Sequence, residues 1–449
     1  MKNRAFTTSL AITALLLAGM LAGFAAGTNS ESPPTLKAAY KDHFYVGVAI
    51  NRTIATGKAV QADNVNRTQE QVDKDVALVK EQFNQTSPEN DLKWALIQPN
   101  EGTNGYDFGP ADAYVNFGLS NHMYIVGHTL VWHSQTPGWV FAGTNMPPGV
   151  TNTPAPTPAP APALVTTTNA MGTNGIAGGR GGRGRGFGGG GFGGFNLNGP
   201  HATREELLQR MHDHIATVVG RYKGKVKVWD VVNEAIADGG TNILRDASSR
   251  PPSPWEAIIG PDFIAKAFEY AHEADPDAIL RYNDYSLENP AKRHKLITLI
   301  KSLQAQGVPV MAIGSQTHVS VTSPSFEQED QALTELETLG LPIHITEFDV
   351  NGARGGQGNL GADISTAAAA AQGGMVSGAD KKLADAYTGL FRAFLKHEKS
   401  VKVITFWGVN DSVSWLRGAN PLLFDGNDQP KPAFDAVMGV ATGQESSAK

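Results

Sequence analysis

Glu234 and Glu347 each close an apolar run, in "VWDVVNEAI" (228–236) and "PIHITEFDV" (342–350). Runs rich in Val, Ile and Trp read as buried strands, so each carboxyl is delivered where a strand leaves the core. Other runs end the same way. "MYIVGHTLVW" (123–132) brings His128 and Trp132, followed by His133, and "AILRYNDY" (278–285) ends in Asn283, Asp284 and Tyr285. "PVMAIGSQTHV" (309–319) carries Gln316 and His318, and "KVITFWGV" (402–409) carries Trp407. Gln316 with His318, and Glu347 with Asp349, are two apart and so share one face of a strand. One polar strand end is an ordinary loop start; several, all bearing carboxylates, imidazoles, amides or indoles, point to a common site. Two carboxyls on separate strands suit cleavage of a glycosidic bond. One protonates the leaving oxygen, and the other attacks the anomeric carbon or activates water. Indole faces pack on the apolar faces of sugar rings, and amides bond the hydroxyls.

A metal site is the competing chemistry. Glu347 with Asp349 could hold Mg²⁺, but a third and fourth oxygen ligand is not evident. His128 and His133 are five apart, so on one strand they face opposite ways. Asp349 is read instead as orienting a neighbour such as His318. No metal and no other cofactor is expected.

Elements must hold these residues. With 44–50 and 83–90, the strand candidates number eight. Between several of them lie amphipathic helices. In "TREELLQRMHDHIATVVGRYKGK", Thr203 and Glu206 form a capping box while Leu207, Met211, Ile215, Val218 and Val219 recur on one face. "AKRHKLITLIKSLQAQG" has the same character. Apolar strands alternating with such helices make a parallel sheet covered by helices. Eight repeats predict an α/β protein with a closed (β/α)₈ TIM barrel, its site at the C-terminal strand ends. The alternative, an open doubly wound sheet, lacks its glycine-rich first turn here.

The 449 residues are 41% hydrophobic, enough for a sizeable core, and carry a net charge of −6. That balance gives no pull toward nucleic acid or anionic membranes. There is no cysteine, so disulfides and thiolate chemistry are excluded. Residues 1–26 read as a signal peptide, with Lys2 and Arg4 before a short apolar stretch from Ala11 to Leu21 and small residues after it. The run is too short to span a bilayer. A secreted protein, extracellular or periplasmic, is expected, with no membrane association after cleavage. Residues 145–200 contain "TNTPAPTPAPAPA" and "GGRGGRGRGFGGGGFGGF", which read as a disordered insertion. Arg180, Arg183 and Arg185 with Phe187, Phe192 and Phe195 resemble a nucleic-acid segment only superficially; a flexible loop on an acidic exported chain is the better reading. A weaker stretch of the same kind spans 351–379.

In series, "ENDLKW" (89–94), "GHTLVWHSQTPGW" (127–139), "WDVVNEAI" (229–236), "YNDY" (282–285), "IGSQTHV" (313–319), "ITEFD" (345–349), "WGVNDSVSW" (407–415) and "KPAFDAV" (431–437) resemble glycoside hydrolase family 10, the endo-β-1,4-xylanases. The resemblance covers a single catalytic barrel over 35–441, interrupted by the insertion at 145–200. It implies retaining chemistry on xylan and xylo-oligosaccharides by a monomer. Glu234 takes the acid/base place and Glu347 the nucleophile's. Asn233 would bond the 2-hydroxyl of the sugar attacked. His128, Gln316 and His318 would position that sugar and the nucleophile. Glu89, Asn90 and Lys93 match positions that hold the glycone-side sugars, and Trp132, Trp407 and Trp415 match the aromatic walls of the cleft. Both long stretches leave from the catalytic face. A β-1,4-glucanase or mannanase on a similar barrel, and a carbohydrate-binding protein without catalysis, are the alternatives; the presence of both glutamates counts against the second.

Overall fold

A parallel sheet forms because its strands are buried on both faces and need covering on both. In the computed structural model, which describes residues 35–60, 65–145, 199–353 and 377–443, these strands close into a barrel. They are β1 (Tyr45–Ile50), β2 (Gln85–Pro88), β3 (Tyr124–Gly127), β6 (Val228–Asn233), β7 (Ile279–Asp284), β8 (Ala312–Ser315), β10 (Ile343–Asn351) and β11 (Val401–Phe406). Each pairs in parallel with the next, and β11 pairs with both β10 and β1 to close the ring. The architecture is a (β/α)₈ barrel. Short strands extend its mouth: β4 (Val131–Trp132) pairs with β6, and β9 (His318–Ser320) with β10. The remaining strand, β5 (Ala142–Asn145), lies outside the ring.

The predicted strand at 123–132 is therefore two pieces, β3 and β4, parted at a cis His128–Thr129 peptide. The run at 309–319 is likewise two, β8 and β9, parted by Thr317 at φ +56°. Gln316 lies in that break, so the shared-face argument for Gln316 and His318 does not apply. The helix expected after Thr203 runs Arg204–Arg221 with its capping box formed, and the later one runs Pro290–Ala305. Such a cap is worth about 1 kcal/mol.

Strands on both sides of 146–198 pair directly, Val131 beside Val232 and Trp132 beside Asn233. The expected signal peptide at 1–26, and all but the ends of 145–200 and 351–379, lie outside the described residues. No helix among the described residues is long and apolar enough to cross a membrane.

Two irregularities decide which side chains face the barrel interior. Asp230 pairs with Arg281 and Val232 with Tyr282, leaving Val231 as an extra residue in β6. In a regular pleat Asp230 and Asn233 would point to opposite faces. The extra residue restores them to one, and Asp230 meets Arg281 while Asn233 meets Asn283. A second register shift lies between Ile345 and Phe348 of β10. Successive Thr346 and Glu347 both reach Asn283 there. Bulges are a common way to re-aim side chains beside a site.

Asn283 fits because β8 offers Gly314 opposite it. A Cβ on Gly314 would stand 2.3 Å from Asn283 Oδ1 and 3.0 Å from Thr346 Cγ2. Gly314→Ala should therefore displace the amide at a stability loss of about 1–3 kcal/mol. A melt would show the loss, and kcat should fall more than stability alone explains. An alanine variant with unchanged kcat would mean that the amide's position is unimportant.

Candidate active site

Glu234 and Glu347 stand at the mouth, 3% and 1% exposed. The strand-end expectation holds for Glu234, which follows β6 at Asn233; Glu347 lies instead within β10, in the register shift between Ile345 and Phe348, and the strand runs on to Asn351. Asn283 links their surroundings. Its Nδ2 donates to Glu347 Oε1 at 2.8 Å and to Asn233 Oδ1 at 2.9 Å, and its Oδ1 accepts from Thr346 Oγ1 at 2.7 Å.

The two carboxyls have different partners. Glu234 Oε1 accepts from Gln316 Nε2 at 2.9 Å and Asn233 Nδ2 at 3.3 Å, while among the described residues Oε2 accepts from Trp132 Nε1 alone, at 2.8 Å. Burial outweighs these donors, and the negative charges of Asp284 and Glu347 add to it, so the Glu234 pKa is pushed up to about 7. Oε2, with one donor against two, has the open position for the proton. Glu347 Oε2 lies 3.3 Å from His318 Nε2. Burial would raise the Glu347 carboxyl, but the His318 hydrogen bond and the pull of His128 and His318 overcome it, and its pKa falls below the ordinary 4.5. Burial would neutralise His318; Asp349, 3.1 Å from its Nδ1, and Glu347 reverse that and push its pKa up to about 10. Asp349 Oδ2, ion-paired with His318, also accepts from Trp415 Nε1 at 2.6 Å.

Beneath them lies a buried ionic layer. His128 Nδ1 is 3.0 Å from Asp230 Oδ2, and Arg281 grips Asp230 through Nε at 2.7 Å and Nη2 at 2.9 Å. Arg281 also reaches His344 Nδ1 at 2.9 Å. Removing one partner from such a layer leaves an uncompensated buried charge, which costs about 3–5 kcal/mol. His133, buried to one side, is held well below its usual pKa by burial and by Arg245.

The remaining predicted residues gather around this centre. Lys93 donates to Asn90 Oδ1 at 3.0 Å and stands 5.1 Å from the Trp132 ring centre. Glu89, half-buried, follows β2 in the same loop. Trp415 and Trp407 pack their rings 5.0 and 6.5 Å from that of His318, and Trp407 also lies 5.4 Å from His128. The tryptophans differ from the wall reading in degree. Trp415 is half-buried, but Trp407 and Trp132 are 4% and 3% exposed, and Trp132 spends its N–H on Glu234. Asn283, Thr346 and Asp284 were given no role from sequence. The signal for Asn283 and Asp284 in the sequence is their place near the end of the run "AILRYNDY".

Residues 35–152 and 195–440 match the family described as glycosyl hydrolase family 10. The chain belongs to that family. It is similar to a β-1,4-xylanase of Dictyoglomus thermophilum, 34% identical over 412 residues that cover 90% of each chain. An endo-1,4-β-xylanase of Geobacillus stearothermophilus is 34% identical across 91% of this chain and 99% of its own. Among solved structures, a family 10 endoxylanase from sugarcane soil metagenome superposes with TM-score 0.67 at 33% identity, covering 91% of this chain and 99% of that one. A family 10 protein of Paenibacillus barcinonensis gives 0.68 at 30% identity, with 93% and 100% covered. The likeness spans the whole barrel, so this family 10 chain is a glycoside hydrolase.

The two pKa shifts set a pH window. The productive form has Glu347 ionised and Glu234 protonated, so kcat/KM should rise through a pH below 4.5 and fall near 7. These limbs belong to the coupled pair. His318→Asn removes the cation that holds Glu347 low, so the acidic limb should move to higher pH. Glu347→Gln removes a negative neighbour, so ¹³C NMR of the Glu234 carboxyl should show its pKa falling. An unmoved acidic limb in His318→Asn, or a rise of the Glu234 pKa in Glu347→Gln, would contradict this electrostatic assignment.

Proposed function

We propose that the chain is a retaining endo-1,4-β-xylanase that hydrolyses internal xylosidic bonds of xylan by double displacement. Glu347 is the nucleophile, and Glu234 is first the acid and then the base. One observation carries the reading: two buried carboxyls at one barrel mouth, one against the His318 imidazole and the other against amide and indole donors, which drives their proton affinities apart. A retaining glycosidase needs that division of roles. The names of the relatives support the substrate. Solved complexes of the Thermoanaerobacterium saccharolyticum xylanase with xylotetraose and xylotriose, 31% identical to this chain, support a cleft for several sugars.

In the first step Glu234 gives its proton to the departing glycosidic oxygen as Glu347 attacks the anomeric carbon, forming a glycosyl ester. Glu234, now ionised, takes a proton from water, which attacks the same carbon and frees Glu347. Asn283 and His318 hold the Glu347 oxygens by hydrogen bonds. On this reading Asn233, tied to Asn283 and Gln316, bonds the 2-hydroxyl.

An aryl group such as dinitrophenolate departs without a proton. Glu234→Ala should lose about 10²–10⁴-fold on xylan yet keep much of the first step on dinitrophenyl xylobioside. Its glycosyl-enzyme should then accumulate, and azide should speed turnover to a β-glycosyl azide. Glu347→Ala should fail on both substrates and give only α-azide. A Glu234→Ala enzyme equally dead on both and unresponsive to azide would remove Glu234 from this role. Faster release of reducing ends from cellulose than from xylan would overturn the substrate.

A further inference from the structure

Glu234 has φ +58°, a left-handed conformation that costs a non-glycine residue about 1 kcal/mol or more. Such strain persists only where the surroundings over-determine it. Here three consecutive residues of β7 take three consecutive N–H groups of the turn. Glu234 N donates to the Asn283 carbonyl at 2.9 Å, Ala235 N to the Tyr282 hydroxyl at 3.0 Å, and Ile236 N to Asp284 Oδ2 at 3.3 Å. The Tyr282 hydroxyl donates onward to that same Oδ2 at 2.8 Å. Asp284 Oδ1 accepts from Tyr285 N at 2.9 Å and lies 2.9 Å from Lys292 Nζ. Both side chains are wholly buried.

We propose that Tyr282 and Asp284 are positioning residues for the acid/base: a backbone clamp that locks the turn carrying Glu234 and sets a fixed negative charge behind it. The proposal rests on Glu234 being the acid/base. His133 lies on this side too, within reach of the charges of Arg245, Asp238 and Lys292. Lys292, from the helix Pro290–Ala305, is shared between Asp284 and Asp238 Oδ1 at 2.8 Å. Arg245, from the loop after β6, bonds Asp238 at 2.9 Å, the Tyr285 hydroxyl at 2.9 Å and the Glu234 carbonyl at 3.3 Å. Glu347 faces Glu234 from β10. Of the acidic neighbours that raise Glu234, Asp284 acts more strongly than Glu347. The clamp thus does two things with one carboxylate: it fixes the backbone that aims the acid, and it opposes loss of the acid's proton.

The test compares the intact wild-type enzyme with Asp284→Asn, Tyr282→Phe and Glu234→Ala. Each is assayed on a xylo-oligosaccharide across pH and for the first turnover of dinitrophenyl xylobioside. Asp284→Asn keeps the shape and removes the charge, so the basic limb should move down by about one pH unit while the acidic limb stays. Tyr282→Phe takes the acceptor from Ala235 N. It should lose about tenfold or more on the oligosaccharide, whose leaving group needs the proton, and little on the aryl substrate. A purely structural role would lower both substrates equally and leave the limbs in place; that result in either variant overturns the proposal. If Asp284→Asn does not fold, the substrate split in Tyr282→Phe decides alone. Glu234→Ala separates the two readings. Should it retain oligosaccharide cleavage, the acid/base assignment fails; should it behave as an acid/base variant while the clamp variants show no split or shift, the clamp alone fails.

Discussion

The Asn283 amide is the joint on which this site depends. An amide has two N–H donors and one carbonyl, and all are engaged, by Asn233, Glu347 and Thr346. The Thr346 hydroxyl and the two acceptors fix which end of the amide is nitrogen. A donor held against Glu347 Oε1 and an imidazole against Oε2 leave that carboxylate accepting on both oxygens, which is the bonding pattern of an anion. The same amide, through Asn233 and Gln316, reaches Glu234. The two carboxyls are thereby set in one rigid frame while their proton affinities are driven apart.

That division follows from where cations are placed. His318, between Asp349 and Glu347, supplies positive charge on the nucleophile side. Among the described residues the donors at the Glu234 carboxyl oxygens are amides and an indole, and the guanidinium of Arg245 meets its backbone carbonyl. Burial then decides the outcome for each. Beside a cation, burial strengthens the attraction; without one, it favours the neutral acid. The ionic layer below, Asp230 with Arg281 and His128, lets the barrel interior carry polar groups up to the mouth without an unpaired charge.

Much of this was legible in the chain. Strand runs ending in Asn233–Glu234, His318 and Glu347 marked the site, because an apolar run that stops in a carboxylate has to put it somewhere specific. The Thr203 capping box and the apolar face behind it gave the helix. What was hidden depends on register. Alternation places Asp230 and Asn233 on opposite faces, and only the extra residue Val231 brings them together. Adjacent Thr346 and Glu347 serve one amide for a similar reason. Trp132 looked like a sugar platform because its residue type suits one; its bond to Glu234 needs β4 to lie against β6, across more than ninety residues of sequence. The clamp under Glu234 needs Tyr282 and Asp284 beside a left-handed turn, and no local pattern announces that turn.

The central claim is a difference in proton occupancy, and neutron diffraction from deuterium-exchanged crystals reads it directly. At about pH 6 the account places a deuteron on Glu234 Oε2, none on Glu347, and one on each ring nitrogen of His318. A deuteron on Glu347, or a bare Glu234 beside a singly protonated His318, would contradict it.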